Sequence, residues 1–170
     1  VSSSSSLSTL DTVTSDASAS VSGSKEEKIE AVIARAQSQV GLPYAWGGGN
    51  ASGPTQGIRD GGVADSFGDY NKVGFDCSGL VLYAFAGVGI ALPHYTGYQY
   101  ERGTKISPNE IQRGDLIFYT TDGVVTHVAI YLGDDQVIHT DWMGRPARIE
   151  HITVSYGWGN IASQVVRPFP

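Results

Sequence analysis

Residues 76–85 read Asp76-Cys77-Ser78-Gly79-Leu80-Val81-Leu82-Tyr83-Ala84-Phe85, and they hold the only cysteine of the chain. Asp76 suits a helix N-cap, because its carboxylate can accept from first-turn N–H groups that otherwise lack partners. The apolar run behind it has no polar stripe, which fits a helix buried on most sides. Leu-Val-Leu-Tyr would also suit a strand, but the Asp cap and a run of about ten residues select a helix. Cys77 then stands in the first turn of a core helix, where the dipole favours thiolate over thiol. Two roles are open to it on this stretch alone: a nucleophile, or a small buried core residue.

The chain around it has 170 residues and 41% apolar content, enough for one domain with a real core. A net charge of −6 argues against nucleic acid and against an anionic membrane as partners. No apolar run approaches the roughly 18 residues that would span a bilayer. One cysteine cannot form an intramolecular disulfide, and a lone thiol in an exported chain points to a candidate catalyst. No signal peptide stands at residue 1, as a mature fragment of an exported protein would also show.

Residues 1–24 are rich in Ser, Thr, Asp and Ala and read as a flexible linker or N-terminal extension. A sharper alternative has the segment lying across the site, with Leu7, Leu10 and Val13 as anchors. The folded domain is expected over residues 25–170. It opens on the capping box Ser24-Lys25-Glu26-Glu27, followed by Ile29, Val32, Ile33, Ala36 and Val40 on one helical face, with Gly41 as C-cap. In Tyr44-Ala45-Trp46 the two aromatics turn the same way if the chain is extended.

Residues 47–75 form a long Gly-rich loop with neither helical nor strand period, expected to wall the site of Cys77. The three glycines from Gly47 are not followed by Gly-Lys-Ser/Thr, so no phosphate loop is assigned. Asp60, Asp65 and Asp69 raise calcium, but at spacings foreign to an EF-hand. Asn50-Ala51-Ser52 is a weak glycosylation sequon. Pro93 to Tyr100 is dense in aromatics beside polar groups, so His94 and Tyr95 are candidate ligand contacts. Ser107-Pro108-Asn109-Glu110 opens a second short helix that stops at Gly114, and Asp115 leads into a strand.

Thr126–Leu132 and Gln136–Thr140 read as a β-hairpin carrying His127 and His139. The turn decides whether the two histidines share a face. A three-residue loop, or an equivalent bulge, sets His139 opposite Ala129 and makes the histidines diagonal neighbours, roughly 7–8 Å apart at the backbone. A strict two-residue turn would separate them. With the shared face, His127 takes the Cys77 proton and His139 orients His127, with Asp141 as a stand-in if the register differs. The oxyanion would sit on the Cys77 N–H with help from the Tyr44 hydroxyl. The rival chemistry is zinc on Cys77, His127, His139 and Asp141, although no paired-cysteine or His-x-x-x-His spacing supports it.

Four blocks then occur in order: Tyr44-Ala45-Trp46-Gly47-Gly48, Phe75-Asp76-Cys77-Ser78-Gly79-Leu80-Val81, Arg113-Gly114-Asp115-Leu116-Ile117-Phe118, and His127-Val128-Ala129-Ile130-Tyr131-Leu132-Gly133. Over about residues 25–168 the chain resembles the NlpC family of papain-like cell-wall endopeptidases. Its Gly-rich insert before Cys77 looks like that of the actinobacterial Rip-type peptidoglycan hydrolases, which split daughter cells. The resemblance implies an α+β papain-like fold, in which a central helix bearing the nucleophile packs on an antiparallel sheet. It implies cleavage of the γ-D-glutamyl–meso-diaminopimelate bond in peptidoglycan stem peptides. It also implies Cys77 as nucleophile, His127 as base, a third polar group at His139, and Tyr44 near the nucleophile. In Rip-type members that third position is often Glu, so His139 departs from them.

These implications set further expectations. The protein is secreted to the cell wall or a periplasm-like space, needs no cofactor or metal, and is a monomer. An upstream domain or a divisome regulator would anchor or activate it. Asp76, Ser78, His94, Tyr95 and Arg102 are placed at the substrate from position alone. Two rivals keep the same groove: a non-catalytic cell-wall binding domain, and a papain-like acyltransferase or amidase.

Overall fold

The computed structural model describes residues 24–140, 144–152 and 161–169. Helix α1 spans Lys25–Gln37 and begins on the capping box expected of it. Ser24 Oγ accepts the Glu27 N–H at 3.2 Å, and Glu27 Oε1 accepts the Ser24 N–H at 3.1 Å. Val32, Ile33 and Ala36 are buried along its inner face.

The helix stops earlier than its apolar spacing suggested. Ser38 is the C-cap, and Val40 lies beyond the helix, 44% exposed rather than packed. The cause is a short extended pairing: the Gly41 N–H donates to Ala147 O at 2.9 Å, and Leu42 O accepts from the Ala147 N–H. Gly41, with φ of 99°, serves that turn and not a helix cap.

Strands β1 (Thr55–Gln56) and β2 (Val73–Gly74) pair antiparallel and close the Gly-rich loop into a lobe. Helix α2 (Val63–Ser66) and a 3₁₀ turn at Asp69–Asn71 lie between them. The loop expected over residues 47–75 thus holds short elements of its own. They are too short to carry a period, and side chains hold them. Asp60 accepts from the N–H groups of Gly62, Ala64 and Asp65, and Asp69 accepts from the Trp46 N–H. Asn50 Oδ1 accepts from the Ser52 N–H, which makes the sequon a tight turn.

Helix α3 is Cys77–Ala86, as the Asp cap and run length indicated. Leu80, Val81, Ala84 and Phe85 share one core cluster with Val32, Ile33 and Ala36 of α1. Each of the larger side chains contributes about 1.5–3 kcal/mol by burial, which anchors the helix that carries Cys77. Arg35 of α1 adds a tie, donating to Tyr83 O and Ala51 O at 2.7 Å each.

After the short α4 (Thr96–Gln99), six strands among the described residues form one antiparallel sheet. They are β3 (Thr104–Ile106), β4 (Leu116–Thr121), β5 (Val124–Gly133), β6 (Gln136–His139), β7 (Arg148–His151) and β8 (Val165–Arg167). Their spatial order is β3-β8-β4-β5-β6-β7. Strand alternation splits the sheet. Leu116, Phe118, Val128, Ile130 and Ile138 pack with α3, whereas Ile117, Tyr119, Ala129, Tyr131 and Val137 build a second cluster. The fold is therefore α+β, with a central helix on an antiparallel sheet. Ser107 caps only a single 3₁₀ turn, Pro108–Glu110, before β4.

Candidate active site

Asp76 holds the N-terminus of α3 in place. Its Oδ1 accepts the Gly79 N–H at 2.8 Å and faces His94 Nε2 at 2.7 Å, while Oδ2 accepts the Gly47 N–H at 3.1 Å. Burial alone would raise the pKa of this carboxyl, but its pairing with His94 acts the other way, and it lies well below the usual carboxylate range. A β-carbon at Gly79 would run into the Gly48 carbonyl oxygen, so only glycine lets the Gly-rich loop seat this close to the first turn.

Cys77 is 4% exposed. The backbone N–H groups of Val128 and Ser78 favour its ionised form. Ladder geometry explains the first. Tyr131 exchanges both backbone groups with the chain entering β4, so alternation points the Val128 N–H toward β6. There the ladder has passed its last paired residues, Ile130 with Ile138. Cys77 shares a core cluster with Val128, the residue after His127 on β5. Burial, helped by the charge of Asp76, pushes the thiol up to about 11. Desolvation therefore opposes the pull that the helix end exerts toward thiolate.

The hairpin brings the two histidines together. Asp134 and Asp135 both have positive φ, 51° and 59°, as a two-residue type I′ turn needs. A bulge between Tyr131 and Gly133 restores the shared face, with Ile130 opposite Ile138 and hence Ala129 opposite His139. His127 Nε2 lies 2.8 Å from His139 Nδ1, and both residues are buried. The ring of Tyr119 packs 5.1 Å from that of His127. His139 Nε2 lies 2.8 Å from Glu150 Oε1. Arg148 grips that carboxylate through Nε at 2.9 Å and Nη2 at 3.1 Å.

Glu150 was not among the residues expected from sequence, and neither was Gln99. Gln99 Nε2 donates to Ser78 O at 3.0 Å and Pro93 O at 2.9 Å, tying α4 to the first turn of α3. Ser78 is fully buried, with Oγ 3.4 Å from Asp76 Oδ1. Tyr44 forms a single parallel bridge with Phe75, two residues before the cysteine, and is buried with Trp46. Tyr95 is half-buried and meets Tyr98 edge to face at 4.9 Å. Arg102 is exposed in the turn after α4. Asp141 and residues 1–23 lie outside the described residues. Among the described residues, no three His, Cys, Asp or Glu side chains are grouped to hold a metal.

The model of the NlpC/P60 family matches residues 41–165. The chain belongs to the NlpC/P60 family. Over 120 residues it is 52% identical to the peptidoglycan endopeptidase RipA of Mycobacterium tuberculosis, covering 71% of this chain and 24% of RipA. Over 112 residues it is 50% identical to RipB of the same organism, covering 66% of this chain and 43% of RipB. The chain thus matches less than half the length of each of these relatives.

The solved structure of RipB, a peptidoglycan hydrolase, superposes with a TM-score of 0.73 at 39% identity, covering 85% of this chain and 66% of that one. That of RipD, also from Mycobacterium tuberculosis and described as a non-catalytic NlpC/P60 protein adapted to peptidoglycan binding, gives 0.70 at 37% identity. It covers 84% of this chain and 98% of RipD. The NlpC/P60 domain here is the unit that carries Cys77, His127 and His139.

Proposed function

We propose that this domain is a cysteine endopeptidase of peptidoglycan, cutting the γ-D-glutamyl–meso-diaminopimelate bond of stem peptides in the cell wall. The observation that carries this is the 2.8 Å contact of His127 with His139, on the strand whose next residue, Val128, shares a core cluster with Cys77. Likeness to RipA and RipB supports the substrate class.

An isolated thiolate in this interior is unfavourable, since the thiol sits at about 11. Passing its proton to His127 avoids net charge there, because the product is an adjacent thiolate–imidazolium pair. The thiolate attacks the scissile carbonyl carbon, and the C=O electron pair moves to oxygen. The Cys77 N–H and the Tyr44 hydroxyl stabilise that oxyanion. The tetrahedral intermediate collapses, His127 gives its proton to the leaving amine, and an acyl-enzyme remains. Water, deprotonated by His127, hydrolyses the thioester and regenerates the thiol. His139 holds the ring of His127 throughout. In this scheme His94 and Tyr95 contact the substrate, whereas Asp76 and Ser78, fully buried, hold the helix end behind them.

Cys77→Ala is expected to abolish release of stem-peptide fragments from purified sacculi while keeping the thermal transition. Normal release by the variant would defeat the proposal. The second reading, a binding domain that does not cut, is favoured by the likeness to RipD. It predicts sacculus binding with no fragment release by the unaltered domain.

A further inference from the structure

We infer that Glu150, clamped by Arg148, is a positioning residue that fixes the tautomers of both hairpin histidines and so decides which nitrogen of His127 can take the Cys77 proton. This rests on the cysteine-peptidase reading above.

The register makes the arrangement possible. His139 pairs with Arg148, and Val137 with Glu150, across β6 and β7. Arg148 and Glu150 are two residues apart, so they share the face of His139 while Ile149 takes the other. Arg148 engages both carboxylate oxygens and also donates to Pro146 O at 3.1 Å, which fixes its own position. Burial of Glu150 opposes ionisation, but its bonds with Arg148 and His139 hold the carboxyl below the usual range, so it carries charge.

An ionised carboxylate has no proton to give. The hydrogen in the 2.8 Å contact between Glu150 Oε1 and His139 Nε2 therefore belongs to His139. In a neutral imidazole the other nitrogen then has a lone pair and no hydrogen. His139 Nδ1 thus accepts, and the hydrogen in its 2.8 Å contact with His127 belongs to His127 Nε2. The same rule applied once more leaves His127 Nδ1 as the basic nitrogen. Without the carboxylate, His139 can equally present Nδ1–H. His127 Nε2 would then accept, and its Nδ1 would carry hydrogen and be useless as a base. Once His127 becomes imidazolium, the charge of Glu150 also stabilises it through the intervening ring. The groups facing that carboxylate are His139 from β6 and Arg148 from its own strand, with His127 of β5 one ring further on.

Long-range ¹H–¹⁵N spectra of the histidine-labelled protein test this directly, without depending on any variant. His139 is expected as the Nε2–H tautomer, with His127 holding hydrogen on Nε2 whether neutral or imidazolium, and an Nδ1–H signal for His139 would overturn the inference. In kinetics, Glu150→Gln should lower kcat by about 10- to 100-fold with little change in KM. It should also move the basic limb of the pH–rate profile to lower pH, a shift that loss of packing would not produce. A folded Glu150→Gln variant with unaltered kcat and profile would refute the role of Glu150 while leaving Cys77 and His127 in place. Unaltered release by Cys77→Ala would instead refute the peptidase reading.

Discussion

His127 and His139 meet across the β5–β6 hairpin with ring nitrogens 2.8 Å apart, and His139 in turn meets Glu150 at the same distance. His127 is thus the first of four side chains in succession, followed by His139, Glu150 and Arg148. Several consequences can be measured.

The identity of the third group is coupled to Glu150. His139→Ala should reduce fragment release by at least about 100-fold, because His127 loses the partner that orients it. His139→Glu restores the group the Rip resemblance implies, but it brings a second carboxylate against Glu150, and two such charges side by side are unfavourable. It should therefore stay at least about 10-fold below the unaltered domain. Adding Glu150→Gln should raise it again. Equal rates for the single and double variants would show that the two positions act independently.

Asp76 is expected to matter for stability in a pH-dependent way. Its folded carboxyl lies below its unfolded value, so its contribution is complete above about pH 4 and fades as acid protonates it. Asp76→Asn should cost about 2–4 kcal/mol near neutrality, since it weakens the bonds to Gly79, Gly47 and His94. Urea unfolding at about pH 7 and again at about pH 3 reads this out. The gap between variant and unaltered protein should narrow in acid, and a constant gap would contradict the assigned ionisation.

Much of this was legible in the chain. Asp76 before an unbroken apolar run gave both the helix and the place of Cys77 in its first turn. The alternation of the hairpin gave the shared face of His127 and His139, although a bulge at the turn and not a longer loop produces it. Glu150 was not legible. Its position depends on the register of β6 against β7, and no local pattern across that connection sets it; only the alternation of Arg148 and Glu150 hints at one face. The end of α1 was misjudged at Val40 and Gly41 because a distant partner, Ala147, takes the backbone there. The raised thiol pKa was equally hidden, since burial depends on what the whole fold brings around the sulfur.

The Ser-rich lead-in carries a proposal of its own, that it covers the site. Deleting residues 1–22 retains Ser24 and its cap on α1. If the segment blocks substrate, the shortened protein should release fragments several-fold faster at unaltered thermal stability. Equal rates would remove any inhibitory role.

The central claim is that Cys77 ionises by handing its proton to His127, and the pH dependence of its alkylation by iodoacetamide tests it most directly. A paired thiolate should react well below the pH of a free thiol, with a plateau already near about pH 6–7 that His127→Ala abolishes. A rate that climbs only toward about pH 9–11, and identically with and without His127, would contradict it.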